Sequence, residues 1–264
     1  MNRIKITSLY SGSAGNATLV KTERATILID AGKSARALCN ALRQAGSDPE
    51  HIDAVFITHE HTDHISALEV FLKKHSAPVH ITCVSADLIS PARFPNLCKN
   101  LVTHPPLFTE RVGDLTVRSF LLSHDSAMCV GYRVETDFGY AFGHATDTGY
   151  VTDGMRDCLN GCTSVLLESN HDIDMLRFGA YPPDLKKRIL SRHGHLSNDD
   201  CAAFAVGLAE NGTENFMLAH LSEENNTPDY AIRTVGKALS PFEKARLFVA
   251  SQAEERVLDE YAEN

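Results

Sequence analysis

Short apolar runs separated by turn residues occur along the chain, most of them within the first 170 positions, and this pattern predicts β-strands. The runs place strands near residues 4–9, 17–21, 26–30, 54–57, 79–82, 115–122, 129–135, 140–145, 165–168, 216–219 and 245–250. Helical spacing of apolar residues predicts helices over 34–45, from 65 to about 75, and over 183–192, 198–210 and 228–239. Prolines break any long element between residues 83 and 113. Strands first, then alternating helices and strands, predict a mixed α/β fold of two packed sheets with helices outside, as one domain over residues 1–264.

A dense polar stretch interrupts this pattern between the apolar run 54–57 and the helical segment that starts at Ile65. Four potential metal ligands fall here within six consecutive residues: His59, His61, Asp63 and His64. Ligands held between a buried strand and a helix are pre-positioned, as a metal site requires. Imidazole and carboxylate ligands without cysteine suit Zn, Mn or Fe.

The spacing of these four ligands indicates two divalent metal ions rather than one. His59 and His61 are two residues apart, so they can point the same way from an extended loop. Asp63 and His64 are better placed to face a second metal. Two metals roughly 3.5–4 Å apart would share a bridging hydroxide.

Several other predicted strands also end in a histidine or an acid. These residues are His124, Asp147, Glu168, His171 and His220. Each one alone would be an ordinary polar surface residue. Strand ends that gather at one edge of a sheet, however, assemble a site from distant parts of the sequence, so we expect these side chains near the ligand stretch.

Composition limits how the protein can bind nucleic acid and indicates its redox compartment. The net charge of −9 argues against a strongly basic, non-specific nucleic-acid binder. A nuclease is still possible, because two divalent cations would make the electrostatic potential at their site positive despite the negative charge of the whole protein. The seven cysteines are an odd and widely spread set, which indicates free thiols in a reducing compartment.

Residues 1–6 form an amphipathic strand pattern rather than a signal peptide. No apolar run approaches the roughly 20 residues that a membrane span needs. We therefore expect a cytoplasmic protein with no membrane partner, while the sequence leaves its oligomeric state open.

The ligand pattern His59-x-His61-x-Asp63-His64, followed along the chain by further ligands at strand ends, resembles the metallo-β-lactamase superfamily of hydrolases. The resemblance implies an αββα sandwich. It implies that one metal is held by His59, His61 and His124. It implies that the other is held by Asp63, His64 and His220, with Asp147 bridging both. Asp30 matches an acid that supports the ligand loop from behind in that superfamily.

Four further motifs resemble the WalJ/YycJ family of bacterial proteins. They cover residues 11–16, 168–172, 193–198 and 220–226. This resemblance implies a 5′→3′ exodeoxyribonuclease that acts on duplex DNA, is associated with mismatch repair and has DNA as its partner. The chain departs from the family's Gly-Ser-Ser-Gly-Asn loop at Ala14, a small-for-small change.

The metal ligands alone do not choose between a phosphodiester, a lactone, a thioester and a β-lactam as substrate. Asp63 or Asp147 could orient the attacking hydroxide. His193 or His195 could protonate a leaving oxygen, and the turn they form precedes a helix whose N-terminal amides could receive a phosphate. Both histidines could equally be helix-capping or surface residues.

Uncharged side chains that can donate hydrogen bonds to phosphate oxygens complete the candidate substrate site. The candidate substrate-binding residues are Asn16, Asn170, His171, His193, His195 and Asn225. Two other functions stay open: hydrolysis of a small ester, lactone or thioester by the same fold, and metal binding without turnover. The full ligand set speaks against the latter, since each buried charged group would cost stability without its metal.

Overall fold

The computed structural model describes residues 2–262, which contain fourteen strands and ten helices. The strands are β1 (Arg3–Tyr10), β2 (Ala17–Thr22), β3 (Thr26–Ile29), β4 (Ala54–Phe56), β5 (Val79–Thr82), β6 (Leu101–His104), β7 (Thr109–Val112), β8 (Leu115–Leu121), β9 (Val130–Thr136), β10 (Ala141–Ala145), β11 (Ser164–Glu168), β12 (Asn215–Ala219), β13 (Arg246–Val249) and β14 (Arg256–Ala262). The helices are α1 (Ala35–Gln44), α2 (Thr62–Ile65), α3 (Leu68–Phe71), α4 (Cys83–Ala86), α5 (Pro95–Asn100), α6 (Asp153–Leu159), α7 (Ile173–Phe178), α8 (Pro183–Ile189), α9 (Asn198–Glu210) and α10 (Pro228–Leu239).

The strands form two seven-stranded mixed sheets. The first has the order β14-β1-β2-β3-β4-β5-β6, and the second has the order β13-β12-β11-β10-β9-β8-β7. Strands β3 to β6 run parallel in the first sheet, as do β10 to β13 in the second. Because parallel strands end at the same edge, the residues that follow β4, β10, β11 and β12 can converge on one site.

Helices cover the outer face of each sheet, and the inner faces pack on each other. The core between the sheets joins Ile27 and Phe56 of the first sheet to Tyr132 and Met217 of the second. Helix α1 covers the first sheet, and α6, α9 and α10 cover the second. This four-layer arrangement confirms the predicted αββα sandwich. Strands covered on both faces need continuous apolar runs, and β3 and β4 are buried at every position.

The helix expected from residue 65 to about 75 is shorter in the structure, which has the single turn α3 in this range and a separate turn, α2, that ends where the predicted helix begins. A continuous helix would need the amide of Ala67 to donate to the carbonyl of Asp63. That carbonyl instead accepts the amide of Asn16 at 2.8 Å, and the amide of Ala67 donates to Ala31 at 3.0 Å. Contacts with two loops from earlier in the chain therefore separate α2 from α3.

Some elements lack a pattern that sequence reasoning could use. Strand β14 was not predicted, because Leu258 is its only fully buried position and its other residues are mostly polar or exposed. Helices α6 and α7 were also missed. Residues 83–113 hold two short strands and two short helices, which agrees with the prediction that prolines prevent a long element there. All seven cysteines are free thiols, as predicted. Across residues 2–262, the helices are all too short or too polar to cross a membrane.

Candidate metal centre

The ligand stretch covers the tight loop after β4 and the helical turn α2, and two neighbouring loops hold it in place. Its backbone carbonyls accept the amides of Asn16 and of Ala31, which lies in the loop after β3. A Cβ on Gly32 would lie 1.9 Å from the carbonyl oxygen of Asp63, so only glycine permits this approach. The position of the Asp63 backbone is thus fixed by chain segments more than thirty residues away.

Two groups of side chains at this loop could each hold a metal ion. His59, His61 and His124 bring three ring nitrogens together, and Asp63, His64 and His220 form a second group. Within each group the ligand atoms lie within 4.8 Å of one another. The family resemblance implies two metals held by these same six residues, and that assignment stays a prediction.

Asp147 lies between the two groups and faces both of them. Its Oδ2 is 3.4 Å from Nε2 of His64. Its Oδ1 is 3.4 Å from Nε2 of His220 and 3.8 Å from Nε2 of His124. A carboxylate that lies close to ligands of both groups has the position that a bridging ligand needs.

Three of the residues at this centre adopt a backbone conformation that side chains rarely take. The φ angles are 61° at Asp30, 65° at Asp147 and 55° at His220. Asp30 and His220 directly follow a strand and Asp147 lies two residues after one, and the left-handed turn carries each side chain from the strand edge into the centre. Strain of this kind persists only where the surrounding structure enforces it, and it is typical of functional sites.

Buried partners fix the orientation of the imidazoles at the ligand loop. Oδ2 of Asp30 lies 2.8 Å from Nδ1 of His64, so this nitrogen donates and Nε2 faces the centre. The hydroxyl of Thr58 donates to Asp30 and accepts from Nδ1 of His59 at 3.0 Å. Asp30 therefore contacts two histidines, His64 directly and His59 through Thr58, and its role in supporting metal ligands stays a prediction.

Glu168 plays the same orienting part on the opposite side of the centre. Its Oε1 accepts from Nδ1 of His195 at 2.7 Å and from Nδ1 of His220 at 3.1 Å. Its Oε2 accepts the amides of Thr148 and Leu196 at 2.8 and 3.3 Å. Sequence reasoning placed Glu168 at a strand end but gave it no role, and the only signal was its position between two ligand-bearing strand ends.

Several atoms at the centre have no hydrogen-bond partner among the described residues. They are Nε2 of His59, Oδ2 of Asp147 and Nε2 of His220. All three residues are almost fully buried, and leaving buried polar atoms unpaired costs free energy. Divalent cations in the two ligand groups would satisfy all three, so the donor set fits metal binding.

The charge of the cluster also favours a cation. Burial opposes protonation of His220, yet Asp147 and neighbouring carboxylates outweigh it and raise its pKa to about 10. Burial opposes protonation of His64 as well, and nearby carboxylates raise its pKa well above the ordinary value. The buried carboxylates therefore attract positive charge, which bound metal ions would supply.

Comparison with known proteins identifies the family. The sequence model of the family described as Beta-lactamase superfamily domain matches residues 25–221. Over 240 residues the chain is 35% identical to exodeoxyribonuclease WalJ of Streptococcus pneumoniae serotype 2, a match that covers 89% of this chain and 88% of that protein. It is also 35% identical over 236 residues to exodeoxyribonuclease YycJ of Bacillus anthracis, covering 88% and 87% of the two chains. The chain belongs to the WalJ/YycJ family of the beta-lactamase superfamily. It is thus an enzyme of the hydrolase class, as predicted.

A solved structure supports the fold of this WalJ/YycJ family member. The metallo-beta-lactamase fold protein YhfI of Bacillus subtilis aligns with a TM-score of 0.72 at 19% identity. The alignment covers 97% of this chain and 100% of that one. At this identity the likeness establishes the fold and nothing further.

The predicted substrate-binding residues of this WalJ/YycJ family protein differ in their surroundings, since some line a cavity and others are buried. Asn170 and His195 line a cavity of about 170 Å³ beside the centre, and Asn170 also donates to the carbonyl of His220 at 2.8 Å. Asn16 is buried, and its side-chain amide donates to Oδ2 of Asp63 at 3.3 Å. It therefore contacts a candidate metal ligand rather than open space. His171 and Asn225 are almost fully buried and do not line this cavity.

His193 and His195 share one turn but have unlike surroundings. Only the ring of His195 bonds to Glu168 and lies 5.0 Å from the ring of His124. The ring of His193 lies by the exposed hydroxyl of Ser123, with 3.3 Å between Nδ1 and Oγ. The two histidines are therefore not equivalent, and their roles stay predictions.

Proposed function

We propose that this protein is a metal-dependent phosphodiesterase that acts on DNA, as a 5′→3′ exonuclease on duplex ends. The observation that carries the proposal is the pair of facing ligand groups around Asp147, in a chain whose relatives are named exodeoxyribonucleases. The polarity, the duplex preference, a link to DNA repair and a cytoplasmic location rest on the family resemblance and on the sequence.

Two divalent cations, Zn, Mn or Fe, would occupy the centre in this proposal. His59, His61 and His124 would hold one, and Asp63, His64 and His220 the other, with Asp147 between them. Once bound, the cations supply an activated water and stabilise the negative charge that develops on the phosphate. Because an imidazole must be neutral to bind a metal, His64 and His220 would each release a proton from Nε2 on loading.

The protein's own groups would position the reactants and move the protons. Asp63 or Asp147, both beside the reacting position, would orient the attacking oxygen. His195 would give a proton to the leaving oxygen, because Glu168 holds its Nδ1 side and turns the rest of the ring to the cavity. His193, on the exposed side of the same turn, is the second candidate for this step.

The cavity next to His195 offers suitable contacts for a nucleotide. Tyr181 and Arg188 line it together with Asn170. An aromatic ring can stack on any base, and a guanidinium can pair with phosphate oxygens. Arg188 is held by a hydrogen bond to Asp125, which keeps it at the cavity wall in an otherwise acidic protein.

The substitution His195→Ala should slow phosphodiester cleavage about 10²-fold, the usual effect of losing a general acid. Metal content should stay at the wild-type level, since His195 belongs to neither ligand group of the proposal. Single-turnover cleavage and metal analysis of the same sample measure both. His193→Ala is the matched control: an equal loss there would assign the proton to His193, and loss of metal from His195→Ala would make His195 structural.

The substrate class is tested by direct comparison. Metal-loaded protein is incubated with linear duplex DNA labelled at the 5′ end, with the same duplex labelled at the 3′ end, and with a panel of lactones and thioesters. We expect early release of label only from the 5′ end and little turnover of the small esters. Fast hydrolysis of an ester with intact DNA would instead support the small-molecule hydrolase.

A further inference from the structure

A second cluster of metal-binding side chains shares no residue with the groups around Asp147. It consists of His80 on β5, His104 on β6 and Glu110 on β7. One ligand atom from each residue lies within 4.8 Å of the other two. His80 is buried, and the other two are partly buried, so the cluster is only partly open to solvent.

The three strands place this cluster where the two sheets meet. Strand β6 is the last strand of the first sheet, and β7 is the last strand of the second. Residues 105–108 join them directly. Metal-binding side chains from both sheets therefore meet at one edge of the sandwich.

Packing holds the two imidazoles in place before any ligand binds. The ring of His80 stacks on Phe56 at 4.6 Å, and the ring of His104 stacks on Phe108 at 4.1 Å. The two histidine rings are within 14° of parallel, with centroids 5.1 Å apart. Since Phe56 and Phe108 belong to the core between the sheets, the histidine rings have little freedom to turn away.

The nitrogens of the two rings face each other across a short gap. Nδ1 of His80 lies 2.9 Å from Nε2 of His104. Without a cation, one nitrogen must carry the proton that the other accepts. A divalent cation can replace that proton and bind both lone pairs, with Glu110 supplying an oxygen and a negative charge.

We propose that His80, His104 and Glu110 form a further binding site for a zinc-class divalent cation, which joins the edge strands of the two sheets. Two imidazoles and one carboxylate are an established zinc donor set, and they leave a fourth position for water. The proposal is independent of the nuclease function, because it concerns metal content and not turnover.

The test counts zinc in the full chain. Metal-depleted protein is dialysed to equilibrium against Zn²⁺ alone, and bound zinc per chain is measured for wild type, His104→Phe and Glu110→Gln. His104→Phe keeps a flat ring beside Phe108 but removes the nitrogen. Glu110→Gln removes the charge without touching the stacked rings. His51→Phe, at a histidine whose side chain is 81% exposed, is the control.

We expect His104→Phe to bind one zinc fewer per chain than wild type and the control. Glu110→Gln should bind that same zinc more weakly, and DNA cleavage should be unchanged in both variants. In Co²⁺-loaded protein, the visible absorption of the extra site should disappear with His104→Phe. Equal zinc content and affinity in all four folded proteins would overturn the proposal and leave a hydrogen-bonded histidine pair.

Discussion

Replacing Asp147 by asparagine should lower DNA cleavage by at least ~10³-fold, the equivalent of roughly 4 kcal/mol of transition-state stabilisation. The amide keeps the shape of the side chain but removes the charge that faces both ligand groups. It also presents an NH₂ group, which cannot bind a cation, toward His64 or His220. Cleavage rates at saturating metal, together with metal content, measure the effect.

The fold should survive this change, because asparagine has the same size and shape as aspartate. The Oδ2 atom has no hydrogen-bond partner within residues 2–262, so the substitution breaks no hydrogen bond at that atom. Asp137→Asn, the same chemical change at an exposed turn, is the matched control and should keep full activity. Wild-type cleavage by the Asp147 variant would remove Asp147 from the bridging role.

Glu168→Gln should reduce cleavage by about 10³-fold through two separate losses. A misplaced His195 costs about 10²-fold as proton donor, and a misoriented His220 weakens metal binding by about 10-fold or more. The glutamine amide can still accept one hydrogen bond, but it cannot hold both histidines with a charged oxygen. Metal titrations of activity separate the two losses, since excess metal restores only the second.

The matched control for Glu168→Gln is Glu135→Gln, at a partly exposed acid that pairs with Arg133 on β9. This variant should behave as wild type. If Glu168→Gln also has wild-type activity and metal affinity, then His195 and His220 do not depend on the carboxylate for their orientation.

The sequence was sufficient to predict two packed sheets with helices outside and the dense ligand stretch 59–64, because both are encoded locally. Buried parallel strands require apolar runs, and a dense set of histidines and acids directly after such a run is typical of a metal site. The two ligand groups found in the structure contain the same residues that the resemblance assigned to two metals. Their number and identity as bound metals remain a proposal.

The features that were missed depend on contacts between distant parts of the chain. The break between α2 and α3 arises because Asn16 and Ala31 bond to the Asp63 carbonyl and the Ala67 amide, which would pair with each other in a continuous helix. The role of Glu168 depends on His195 and His220, which lie 27 and 52 residues further along the chain. Neither effect leaves a periodic signal, so each becomes visible only when the chain is folded.

The most direct test of the metal-dependent nuclease is nucleotide release from 5′-labelled linear duplex DNA. Wild-type protein and His61→Ala are each depleted of metal, reloaded with Mn²⁺ or Zn²⁺, and assayed with bound metal measured in the same samples. We predict that wild type shortens the duplex from its 5′ end only after reloading, and that His61→Ala binds less metal and releases no nucleotide. Intact DNA in every sample, with metal bound at the ligand loop of wild type, would contradict the account.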